Sequence, residues 1–254
     1  MAAVEKKIGK VYLVGAGPGA QDLITLRGAR LLAQADVVLH DALVTTEMLE
    51  LCPRAVKIAV GKRCGKLSTA QAFINKQLLD CAEKYAVVVR LKGGDPMLFG
   101  RADEELRALE GAGIDVEVVP GITTALAAAS ATRQPLTKRG VSRSVAFFTS
   151  STAPEHADQA KVPDADTLVQ YMGGREAIVT AQRLLDQGRR ADTPVVAIEN
   201  CSRPDQRILR LTLATLARGL GEAHGPVLVM LGDALKMREH QPSDTAEVSE
   251  RRSA

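Results

Sequence analysis

Short β-branched runs alternate with amphipathic stretches along the first half of the chain. KVYLV (10–14), DVVLH (36–40), AVKIAV (55–60), AVVVRL (86–91) and DVEVV (115–119) are short, apolar and rich in Val, the mark of buried strands. Between them LRGARLLAQA (26–35), TAQAFINKQLLDCAEK (69–84) and ADEELRALEGAG (102–113) carry apolar residues at helical spacing. Strands of this kind need cover on both faces, and the intervening helices supply it. The pattern predicts an open α/β sheet of parallel strands joined by right-handed crossovers.

At PGITTALAAASA (120–131) the chain enters an Ala-rich helix, with Thr123 or Thr124 as its cap, and then a basic loop, TRQPLTKRGVSRS (132–144). A second set of strand patterns follows: VAFFTS, TLVQYM, TPVVAIEN, RILRLTL and GPVLVML. The expected organisation is two α/β domains, 8–122 and 123–238. The polar stretch 239–254 is expected to be a disordered tail. Two such domains would leave a cleft between them, and ligands favour clefts at domain interfaces and at the carboxyl ends of strands.

Composition narrows the function. With 254 residues there is room for one large core or two smaller ones. A net charge of +3, aromatics at 3% and no Trp argue against a nucleic-acid partner. Cys52, Cys64, Cys81 and Cys201 form no CxxC pair and the four histidines are scattered, so neither a disulfide framework nor a metal site is expected. The apolar run near the amino end falls far below the roughly 18 residues a membrane span requires. A cytoplasmic protein with no membrane partner is the expectation.

Three strands end unusually. VGAGPGA (14–20) loosely satisfies the dinucleotide fingerprint, which Asp41 would support from the end of the second strand, so a dinucleotide oxidoreductase is one reading. The helical period, however, resumes only near Thr25, away from the turn where a pyrophosphate would sit. A loop whose backbone lines a pocket is preferred. In VVVRLKGGDPMLFGR (87–101) a core strand gives way to paired glycines and a carboxylate. Bare backbone at Gly93 and Gly94 would let a flat ligand approach, and Asp95 is an acceptor suited to a ribose hydroxyl or an ammonium group. VVPGITTA (118–125) again ends a strand in Pro-Gly, followed by two hydroxyl side chains. One of these suits an N-cap and the other the pocket.

GAGPG, ADVVLHDALV, VGKR, VVRLKGGDPMLFGR, VVPGITTALAA, QPLTKRG and QYMGG occur in order at spacings that resemble the tetrapyrrole methylases, over about residues 8 to 235. Within that superfamily the motifs look most like those of the members that methylate uroporphyrinogen III. The resemblance implies a class III methyltransferase fold with S-adenosylmethionine bound between the domains and no metal. It places Pro18, Gly93, Gly94, Asp95, Leu98, Thr123, Thr124, Met172 and Cys201 at the cofactor. Cys201 stands where relatives often have glycine.

The activity implied is C-methylation at C2 and C7 to give precorrin-2, for sirohaem, cobalamin or haem d1. Asp41 matches the family's proposed proton acceptor, while also suiting a helix N-cap, and Lys62 matches the proposed donor, while suiting a contact to a substrate carboxylate at least as well. Arg101, Glu104 and Arg139 match residues that receive the polycarboxylate substrate. Glu104 would orient Arg101 or meet a pyrrole NH. Homodimerisation is implied too. A methylase for a later precorrin and a non-catalytic cofactor sensor remain as alternatives.

Overall fold

The computed structural model describes residues 8–60, 67–150 and 161–238. The chain divides into two units, one through Ala127 and the other from Ala128, so the boundary falls inside a helix, Thr124–Thr132.

The first unit holds strands β1 (Lys10–Gly15), β2 (Val37–His40), β3 (Val56–Ala59), β4 (Val87–Lys92) and β5 (Val116–Val119), with helices α1 (Leu26–Gln34), α2 (Thr46–Leu49), α3 (Leu67–Ala82) and α4 (Ala102–Gly111) and the start of α5 (Thr124–Thr132), which crosses the boundary. The strands lie in the order β3-β2-β4-β1-β5, and every pairing is parallel. This is the sheet the alternating pattern predicts. Side chains alternate between its two faces. Val11, Leu13, Val37, Leu39 and Val88 pack against Ile74, Leu78 and Ala82 of α3 and Leu109 of α4. Val14, Val38, Val89, Leu91 and Val119 pack on the other face with Leu32 of α1 and Met48 of α2. The chain reverses its direction of travel across the sheet between β4 and β1, and ligands of open α/β sheets favour such a point.

The second unit contains β6 (Val145–Thr149), β7 (Thr167–Tyr171), β8 (Pro194–Glu199), β9 (Arg207–Thr212) and β10 (Val227–Leu231), with α6 (Gly173–Asp186) and α7 (Leu213–Leu216). The order is β6-β7-β10-β8-β9. Only β6 and β7 pair in parallel, and β10 runs antiparallel to both β7 and β8. The link from β8 to β9, Asn200–Gln206, is too short for a crossover, so those strands pair antiparallel. Ala177, Ala181 and Leu184 of α6 and Leu213 and Leu216 of α7 cover Val195, Ala197, Val227, Val229 and Leu231. Among the described residues no helix is long and apolar enough to cross a membrane.

Candidate active site

The carboxyl ends of β1, β4 and β5 are held together through backbone. Gly17 donates its N–H to the Gly94 carbonyl (3.1 Å) and Gly94 donates back to Gly17 (2.7 Å), while Ala16 donates to the Lys92 carbonyl (2.7 Å). Crowding explains the glycines. A Cβ on Gly121 would meet Gly94 O at 2.2 Å, and one on Gly15 would meet Gly121 Cα at 2.6 Å. Gly94 differs: its φ of +69° is left-handed, and a Cβ there would have nothing within 4 Å. Gly94 therefore presents bare backbone to open space, whereas a Cβ on Gly93 would meet the Leu43 side chain at 3.1 Å.

Asp95 ties two of these loops. Its Oδ1 accepts from Met97 N (2.8 Å) and its Oδ2 from Gly121 N (2.9 Å), binding the end of β4 to the turn after β5. Leu98 donates its N–H to the Asp95 carbonyl (3.3 Å) and completes the loop. Thr123 and Thr124 follow, with Thr124 opening α5 and the Thr123 carbonyl accepting from Leu126 N (3.1 Å). Pro18 sits directly after the Gly17–Gly94 bridge.

The dinucleotide reading fails on this geometry. The Gly17 amide that a pyrophosphate would need is spent on Gly94. Helix α1 starts only at Leu26, capped by Thr25 Oγ1 accepting from Gly28 N at 3.1 Å, after an intervening 3-10 turn at Gln21–Leu23.

Asp41 follows β2, and its Oδ1 accepts from Arg90 Nη2. Arg90 is 2% exposed and belongs to a buried ionic group that the sequence reading overlooked. Its Nε lies 3.0 Å from Glu105 Oε1, and Lys92 Nζ lies 2.8 Å from Glu105 Oε2. Burial acts against the charge on Arg90, but the Asp41 and Glu105 carboxylates outweigh it and hold the guanidinium above its ordinary value. Lys92 is pushed down, by burial first and then by Arg90, although Glu105 opposes the shift. A signal was present in the sequence: Arg90 and Lys92 are two cations on one face of an otherwise apolar strand, and buried cations require carboxylates.

Arg101, left-handed at φ 55°, precedes α4. Its Nε and Nη2 grip Glu104 Oε1 and Oε2 at 2.7 and 2.8 Å, a two-point clamp that fixes the guanidinium plane. Lys62 lies outside the described residues. In the second unit Met172 and Cys201 follow β7 and β8, whose carboxyl ends share one edge of that sheet with β10 between them. Met172 is left-handed and exposed, directly ahead of α6. Cys201 is buried, and burial pushes its thiol up to about 11, so it stays protonated near neutrality. Arg139 is exposed on the turn closed by Lys138 N donating to the Ser142 carbonyl (3.0 Å). Among the described residues no cluster of His, Cys, Asp or Glu could hold a metal.

The parallel sheet of the first unit thus presents glycine backbone at Gly94, with no helix N-terminus at the Gly17 turn to cradle a phosphate. A model of the tetrapyrrole (corrin/porphyrin) methylases matches residues 10–217, and the chain belongs to that family. A Thermus thermophilus uroporphyrin-III C-methyl transferase, solved with S-adenyl homocysteine, is 38% identical, with a TM-score of 0.79 over 92% of this chain and 98% of that one. A cobalt precorrin-4 methyltransferase is 29% identical, with a TM-score of 0.76 over 90% of this chain and 96% of its own. A siroheme synthase from Pseudomonas fluorescens (strain SBW25) is 45% identical over 91% of this chain and 51% of its own length. The chain thus spans about half the length of the curated relatives it matches.

Proposed function

We propose that this chain transfers methyl groups from S-adenosylmethionine to C2 and C7 of uroporphyrinogen III, giving precorrin-2. The observation that carries the reading is the likeness, over almost its full length, to the Thermus C-methyl transferase solved with S-adenyl homocysteine. The bare backbone at Gly94 supports it from this chain's own geometry.

The cofactor set is Pro18, Gly93, Gly94, Asp95, Leu98, Thr123 and Thr124, together with Met172 and Cys201. When bound, the cofactor supplies a methyl group on a sulfonium, already a good leaving group. The protein's task is then to align donor and acceptor carbon and to exclude water. Gly94 leaves room for close approach, and Asp95, by holding the β4 and β5 loops together, keeps that surface rigid. Cys201 contributes backbone and bulk, since its protonated thiol is a poor nucleophile.

Each methylation releases one proton from the macrocycle, and Asp41 accepts it. Lys62 is the proton donor of this scheme. Arg101, its plane set by Glu104, and Arg139 meet the carboxylates of the substrate. The reading also carries homodimeric assembly and a cytoplasmic location.

Anaerobic incubation of the purified protein with uroporphyrinogen III and methyl-labelled S-adenosylmethionine tests the proposal. Dimethylated product with the absorption of precorrin-2 is expected. No methylated product from uroporphyrinogen III, alongside turnover of a later precorrin, would assign the chain to another branch of the family.

A further inference from the structure

Strand β4 sits between β2 and β1, and Arg90 and Lys92 point from it into the face covered by α3 and α4. Burying charge is expensive, and exchanging a buried ionic group for packed apolar side chains is often neutral or stabilising. Fold stability alone therefore gives little reason for a guanidinium here. The geometry gives another.

Every nitrogen of the Arg90 guanidinium has a partner. Nε donates to Glu105 Oε1 (3.0 Å), Nη1 to the carbonyls of Leu91 (3.2 Å) and Leu39 (3.5 Å), and Nη2 to Asp41 Oδ1. Glu105 is fully buried and is held in turn by Lys92 Nζ (2.8 Å) and by Gln71 Nε2 (3.5 Å). The rigid fork thus transmits the position of core atoms to a carboxylate at the end of β2. Asp41 Oδ2 has no partner among the described residues, and the side chain is 28% exposed. One oxygen is thus fixed from inside the unit.

We infer that Arg90, braced by Glu105, is a positioning residue that orients the Asp41 carboxylate for proton transfer. The inference rests on the role given to Asp41 under Proposed function. Arg90 touches neither substrate nor cofactor in this scheme, so its effect on turnover passes through Asp41.

A double-mutant cycle tests this. Arg90→Met leaves the Lys92–Glu105 pair intact, which favours a folded variant. Its kcat should fall about 10- to 100-fold, the scale of a catalytic group displaced by an ångström. KM for S-adenosylmethionine and affinity for S-adenosylhomocysteine should stay within about 2-fold of wild type, because the residue acts on the proton and not on the cofactor. Asp41→Asn should cost roughly 100-fold or more. In the Asp41→Asn background, Arg90→Met should cost less than about 3-fold, because the group it positions is already gone. Arg90→Lys keeps the charge without the fork and should recover only part of the lost kcat. Equal losses in both backgrounds, or kcat and cofactor affinity falling together, would overturn the inference. Should Arg90→Met fail to fold, Arg90→Lys in the same two backgrounds reads the same coupling. A wild-type protein with no turnover removes the proposed function and this inference with it, whereas turnover with additive losses removes the inference alone.

Discussion

At the level of single residues, two glycines of the same loop cluster should respond to a methyl group in different ways. On Gly121 a Cβ would lie 2.2 Å from Gly94 O and 2.8 Å from Gly15 Cα, both backbone atoms that cannot swing aside. Gly121→Ala should therefore separate the β1, β4 and β5 loops and cost about 1–3 kcal/mol, read as a loss of several degrees in Tm. On Gly94 the same methyl meets nothing within 4 Å, and the stability cost is the left-handed conformation alone, about 1 kcal/mol. Gly94→Ala should instead lower S-adenosylhomocysteine affinity by about 10-fold or more, measured by calorimetry, because a methyl now occupies the surface the ligand would approach. Wild-type affinity in Gly94→Ala would mean the cofactor lies elsewhere. The bare backbone of this candidate site was legible in the sequence, since paired glycines ending an apolar strand have few structural uses. The work of Asp95 was not, because its second partner, Gly121 N, is 26 residues further on. Nor was the link between Arg90 and Asp41, which depends on β2 and β4 being neighbours.

Individual elements were read more readily than their arrangement. The ten strands among the described residues fall on apolar runs picked out by pattern, and α1, α4 and α5 begin within a few residues of their predicted starts. Strand order is a different matter: nothing local places β10 between β7 and β8, because that choice is made by packing. Helix α6 escaped because it opens on Gly173 and Gly174, and its core stripe, Ala177, Ala181 and Leu184, is made mostly of alanine. The last turn of β8 yields an element-level prediction. Glu199 Oε1 accepts from the N–H groups of His224 and Gly225, and its Oε2 pairs with Arg207 Nη2 at 2.8 Å, so one carboxylate joins β8, the start of β9 and the turn before β10. Burial works against the charge, yet the Gly225 and His224 amides, followed by Arg207, outweigh it and hold the carboxyl below its ordinary value of 4.5. A depressed folded value means the stabilisation is present above the unfolded value and is lost as pH falls through the folded one. Glu199→Gln should thus cost about 2 kcal/mol near neutrality in denaturant unfolding, with the gap to wild type closing as pH drops below 4.5. A gap unchanged with pH would show that the charge is irrelevant to this junction.

For the molecule as a whole, net charge and ligand linkage separate the competing functions. A balance of +3 over 254 residues gives little long-range attraction for a polycarboxylate, so under the proposed function substrate recognition falls to local cations, among which Arg101 and Arg139 are the proposed ones. Cofactor binding can be read without substrate. A ligand that binds only the folded chain stabilises it by RT ln(1 + [L]/Kd), about 2.7 kcal/mol at a hundredfold excess over Kd. For a chain of this length each kcal/mol moves Tm by roughly 2–4 °C, so S-adenosylhomocysteine at that excess should raise the melting temperature by about 5–10 °C. NAD and NADP at the same concentration should leave it unmoved, because the Gly17 amide is already bonded to Gly94 and no helix begins at the turn. The opposite pattern, a rise with the dinucleotide and none with S-adenosylhomocysteine, would return the chain to the oxidoreductase reading whatever its likeness to the methylases.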